Sequence, residues 1–119
     1  MYNVYMKLVD KNISIQELKT ISQNNFGNLV KAVIDIDKQI MVIDAEMHAD
    51  EEKELLATGS EQNSLWGINL YPELYETENF IEFDSMINLR PSQNNLSRGV
   101  DDISIQDKIK NIVKKLVIS

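Results

Sequence analysis

The chain has 119 residues, a formal net charge of -7, 43% apolar and 26% charged residues and no cysteine. These are the proportions of one globular domain spanning 1–119, not of a disordered, collagen-like or coiled-coil chain. The missing thiol excludes disulfides, thiolate nucleophiles and Cys-ligated zinc or iron–sulfur chemistry, and no apolar run approaches the roughly 20 residues that cross a bilayer.

Helix-start chemistry opens the fold at Ile13-Ser14-Ile15-Gln16-Glu17-Leu18. Ser14 and Glu17 have capping-box spacing there, and Ile13 is placed to staple onto Leu18. The spacing predicts a helix from about 15 to 25, stopped at Phe26-Gly27. Lys31 to Asp44 then reads as a hairpin around an Asp37-Lys38 turn, with Ala32, Ile34, Ile36, Met41 and Ile43 available to one face. After His48, the acids Asp50-Glu51-Glu52 suit a helix N-terminus, Leu55 and Leu56 supply an apolar stripe, and Gly59 ends a short helix.

Leu65 to Tyr71 alternates as a strand that Pro72 terminates. Phe80 to Arg90 alternates more regularly, with Ile81, Phe83, Ile87 and Leu89 on one face and Glu82, Asp84, Asn88 and Arg90 on the other, until Pro91. An irregular stretch to Asp102 leads into a final amphipathic helix carrying Ile105, Ile109, Ile112, Val113 and Leu116. Its start, Ile103-Ser104-Ile105-Gln106-Asp107, echoes Ile13 to Glu17, which shared capping chemistry explains. The order is αββαββα. The expected fold is an α+β two-layer sandwich with a four-stranded antiparallel sheet and all helices on one face.

Charge is unevenly spread. Residues 44–84 hold twelve acids opposed only by Lys53, a net of -11, and the flanks carry +4. An acidic middle attracts cations or basic partners and disfavours nonspecific nucleic-acid binding. The N-terminus, Met1 to Lys7, lacks a basic-then-apolar secretion pattern, so the expected location is the cytoplasm, with no membrane partner.

Three clusters could carry chemistry. Asp44, Glu46, His48 and Asp50 alternate where a strand enters a helix; in extended chain they point one way. Glu46, His48 and Asp50 form a candidate nitrogen/oxygen set for a divalent metal, and a carboxylate beside His48 would orient it as a general base. The plainer account is a solvated helix entrance. The second cluster is the polar sheet face: Glu82, Asp84, Asn88 and Arg90, joined by Asn69, Tyr71 and Asp35, where Glu82 and Asp84 stand close enough to share a cation. The plainer account is an ordinary wet face. The third is the loop flanked by the protein's two arginines, Arg90 and Arg98, whose guanidinium groups suit carboxylate or phosphate; internal ion pairing is the plainer account. Trp66 alternates with Ile68 and Leu70 as a core residue.

The segments His48-Ala49-Asp50, Leu65-Trp66-Gly67-Ile68-Asn69, Ile81 to Pro91 and Ser97-Arg98-Gly99-Val100 together resemble a family of small prokaryotic proteins known as a domain of unknown function. The resemblance implies a single domain and supplies no activity, cofactor or catalytic residue.

The leading expectation is a noncatalytic binding or regulatory module for a basic or cationic partner, protein or small molecule. The alternative is a small metal-assisted hydrolase or acid/base enzyme, with His48 as ligand or base, Glu82 and Asp84 as carboxylates, and Asn69, Asn88, Arg90 and Arg98 as ligand- or anion-binding groups. A homodimer through an Asn69-Glu82-Asn88 surface is a third.

Overall fold

The computed structural model describes residues 6–25 and 27–119. Residues 1–5 of the N-terminal reading and Phe26 of the expected stop lie outside them.

The first helix, α1 (Ile15–Asn24), starts as the capping chemistry demands: the Glu17 amide donates to Ser14 Oγ at 3.1 Å, and Ile13 and Leu18 are both buried. Gly27, at φ +86°, supplies the left-handed conformation that follows the helix end. Strands β3 (Val30–Asp35) and β4 (Ile40–Ile43) form the expected hairpin, and Asp35 Oδ1 closes its turn by accepting from the Asp37 and Lys38 amides. Strand β5 (Leu65–Leu70) pairs antiparallel with β3, setting Ile34 opposite Trp66 and Ala32 opposite Ile68.

The sheet differs from the expected one. Among the described residues it has five strands in the order β1-β4-β3-β5-β6, with β6 (Ile81–Glu82) at one edge and Lys7–Val9, which carries no clear strand signal, added as β1 beside β4 at the other. A separate pair, β2 (Ile13–Ser14) and β7 (Val117–Ile118), runs parallel and ties the start of α1 to the end of α3 (Ile103–Leu116).

Both faces of the sheet are covered. Ala32, Ile34, Met41, Ile43, Trp66, Ile68 and Leu70 face Leu18 of α1 and Ile109, Ile112, Val113 and Leu116 of α3 in one core. Their strand neighbours Val33, Val42 and Leu65 point the other way and pack under Leu55 of α2 (His48–Ala57) in a second, smaller core. Helices on one face only is therefore corrected: α2 takes the opposite side. Leu56, read as part of its stripe, is exposed, and the buried face is His48, Glu51 and Leu55.

The strand expected from Phe80 to Arg90 is the larger correction. Only β6 (Ile81–Glu82) pairs with β5. Ser85 then caps a 3₁₀ turn, Met86–Asn88, by accepting from the Ile87 amide, and Leu89 is exposed. Side chains replace the missing ladder. Asn88 Oδ1 accepts from the Gly67 amide at 2.8 Å and its Nδ2 donates to Gly67 O at 2.9 Å, while the Arg90 guanidinium donates to Leu65 O and Gln62 O. Asp, Ser and Asn favour such local bonding over strand pairing, which is why a period-two pattern alone misled.

Candidate functional site

Because β6 stops at Glu82 and the chain folds back over Gly67, a cleft of about 200 Å³ opens on the second face, between the start of α2, β5 and the 84–87 segment. His48, Lys31, Asn69, Asp84 and Arg98 line it, with Met47 and Met86 at its sides.

His48 is the first residue of α2, and its ring is buried against β5. Nε2 lies 2.8 Å from Ile68 O; a carbonyl only accepts, so Nε2 carries the proton of the neutral ring. Burial holds its pKa below the ordinary histidine value, helped by Lys31 and opposed by the Ile68 carbonyl, Asp84 and Asn69. At neutral pH the ring is an uncharged, fixed tautomer.

Asn69 is oriented from the opposite side. Its Nδ2 donates to Glu82 Oε1 at 2.8 Å and to Asp84 O at 3.3 Å, and both partners are obligate acceptors. That fixes the amide and leaves Oδ1 buried without a hydrogen-bond partner. Neutral His48 has no second N–H to give it; the N–H that makes Asn69 favour the charged imidazole exists only on the protonated ring. Glu82 Oε1 also accepts from Tyr71 Oη at 2.9 Å, and Tyr71 has its pKa raised by burial and by Glu82.

Asp84 and Arg98 form an ion pair, Nε to Oδ1 2.8 Å, with both side chains about half exposed. Arg98 is held there by its loop. Asn95, buried at the loop centre, donates to Asn88 O, Ser97 O and Gly99 O and accepts from the Asp101 amide.

The structure thus brings together His48, Asn69, Asp84 and Arg98, with Glu82 one hydrogen bond behind them. It separates others. Glu46 and Asp50 are exposed while His48 is buried, and among the described residues no three His, Asp or Glu side chains are grouped to hold a metal ion. Asn88 and Arg90 serve the β5 edge; Arg90 lies 4.2 Å over the Trp66 ring, and Trp66 is buried in the core as expected. Asp35 shares the second face but is tied into its own turn and to Ser60 Oγ at 2.6 Å. Of the residues read as a polar sheet surface, Asn88 and Asn69 are buried within the chain and Glu82 is exposed.

Sequence reasoning missed Lys31, Met47, Met86 and the Asn95 hub. Lys31 had a usable signal: it alternates with Ala32 and pairs with Asn69 across β3 and β5. Asn95 carried none, since loop hydrogen bonding has no period.

A larger groove of about 740 Å³ lies beside α3, lined by Phe80, Ile81, Val113 and Val117 with Lys110 and Lys114 at its edge. None of the candidate residues reaches it. Among the described residues no helix is long and apolar enough to cross a membrane.

Comparison with known proteins matches residues 7–116 to the family described as Protein of unknown function (DUF5674). The chain belongs to that family. No curated protein and no solved structure matches it. In this DUF5674 chain the four segments that carried the resemblance converge: His48, Asn69, Asp84 to Ile87 and Arg98, one or more from each, line the same cleft.

Proposed function

We propose that the protein is a noncatalytic binding module for a basic or cationic partner, with the cleft as its point of recognition. The observation that carries this is Asn69 Oδ1, a buried acceptor without a donor, in a cleft that also holds the Asp84 carboxylate. Leaving such an acceptor unmet costs about 1–3 kcal/mol, which an N–H donor removes. The charge around it is mixed: Asp84 lines the cleft together with Lys31 and Arg98, and Glu82 stands one hydrogen bond behind Asn69. Its exposed members are screened by salt, so association weakens between low salt and about 0.5 M.

Methylguanidinium chloride is a suitable probe. In an amide-detected NMR titration at low salt, the Asn69 side-chain signals should shift saturably, and Asp84→Asn or 0.5 M NaCl should weaken the binding. Shifts that never saturate, or that ignore both changes, contradict the proposal.

The neutral, fixed tautomer of His48 beside Asp84 and Arg98 favours a second role, an acid/base enzyme with His48 as base and Arg98 holding an anionic substrate. Anion binding separates the two. A cleft for that enzyme takes acetate or phosphate more tightly than methylguanidinium; the binding module does the reverse.

A further inference from the structure

Resting on that binding role, we infer that the occupant is the basic side chain of a protein segment, its cationic head meeting Asn69 Oδ1 and Asp84 and its methylenes lying between Met47 and Met86.

The head group is set by the acceptors. Both amide hydrogens of Asn69 are consumed, by Glu82 and by Asp84 O, so its buried oxygen, beside His48, has no donor while that ring is neutral. Asp84 gives Oδ1 to Arg98, and a carboxylate has further lone pairs for a second cation.

The stem is set by the walls. Met47 is 58% exposed and Met86 63% exposed, and both line the cleft. A bare ion leaves these thioether chains in water, whereas a stem of three or four methylenes covers them. Methionine is unbranched and adapts its shape to such a guest. Each methylene fully buried is worth about a fourfold gain in affinity.

Size and surroundings point to a protein and not a free cofactor. The cleft is below the roughly 300–1,000 Å³ of a drug-sized ligand pocket. Leu89 and Leu96 are exposed on the stretch of chain that also supplies Met86 and Arg98. A charged anchor in a small pocket ringed by apolar contacts is how protein interfaces concentrate binding energy.

The test uses the full chain labelled with methyl-¹³C methionine, titrated with guanidinium, n-butylguanidinium, n-butylurea and the capped peptide acetyl-Ala-Arg-Ala-amide, each at low millimolar concentration. The expected result is that the Met47 and Met86 methyl signals move saturably with butylguanidinium and the peptide. Both should bind at least tenfold tighter than guanidinium, and butylurea should bind at least tenfold more weakly than butylguanidinium. The double variant Met47→Ala/Met86→Ala, altering two exposed side chains, should lose the advantage of the stem while still binding guanidinium. If guanidinium binds as tightly as the peptide and the methionine signals stay still, the cleft binds cations and the side-chain inference falls alone. If butylurea matches butylguanidinium, or no probe binds, the cationic binding role falls with it.

Discussion

Asn88 is the residue on which the cleft depends, and its replacement gives the sharpest structural prediction. It is fully buried, and its side-chain amide serves three backbone groups: it accepts from the Gly67 amide at 2.8 Å and donates to Gly67 O at 2.9 Å and Arg98 O at 3.0 Å. Asn88→Ala strands all three. At about 1 kcal/mol each, the low end for an unmet buried group, the loss is about 3 kcal/mol, a large share of the roughly 5–15 kcal/mol that holds a domain together. In a chain of this size, that lowers Tm by about 10 °C. Asn88→Asp is the control. It keeps the shape and the acceptor for Gly67 but loses both donors, setting an oxygen against two carbonyl oxygens, so it should be no milder than alanine. Urea unfolding at constant slope measures both losses, and hydrogen exchange at the Gly67 amide should speed up in Asn88→Ala. An alanine variant costing less than about 1 kcal/mol, or an aspartate variant matching wild type, refutes the edge-replacement account.

Three further outcomes follow from the packing around the cleft. Gly67→Ala would set a Cβ 2.6 Å from Ser85 Cβ and Oγ, so urea unfolding should show a loss of about 1–3 kcal/mol, partly recovered in the double variant with Ser85→Gly. Glu51 is fully buried, and burial raises its pKa well above the usual carboxylate value; Asp44 and Asp50 act in the same sense, against the Ala45 amide and Lys31. The native state therefore keeps a proton that the unfolded chain releases above about pH 4.5, so this group's contribution is full below that pH and is lost as pH rises. Relative to wild type, Glu51→Gln should gain stability from pH 4.5 to 7.5, and a flat difference contradicts the burial account. His48 works in the other direction: its pKa lies below 6.5, so its contribution is present above that value and lost as pH falls through the native pKa. Imidazole NMR should place the pKa there, raised by Lys31→Met and lowered further by Asp84→Asn.

Local chemistry in this chain was legible where side chains and period agreed. Ser14 caps α1 as the Ser14/Glu17 spacing requires, Asp102 caps α3, and Ile109, Ile112, Val113 and Leu116 are buried at the helical period. What was not legible came from polar groups in buried places. The inward face of α2 runs through His48, Glu51 and Leu55, a helical spacing hidden because two of the three are ionisable, so the helix was assigned to the wrong layer. The Phe80 to Arg90 pattern alternates well, yet Asn88 and Arg90 bind the β5 edge through their side chains, a substitution that no hydrophobic period encodes.

Four of the candidate residues, His48, Asn69, Asp84 and Arg98, meet in one cleft although they came from three separate clusters. The sequence holds no record of which strand faces which loop until pairing sets Lys31 opposite Asn69 and Asn69 opposite Glu82. Membership in the DUF5674 family covers residues 7–116, so the convergence lies wholly within the matched region.

The most direct measurement is the set of intermolecular nuclear Overhauser contacts from the methyl group of bound methylguanidinium to the protein. The account predicts contacts to the methyl groups of Met47 and Met86. Contacts instead to Phe80, Val113 or Val117, in the groove beside α3, would place the cation in the wrong site and contradict it.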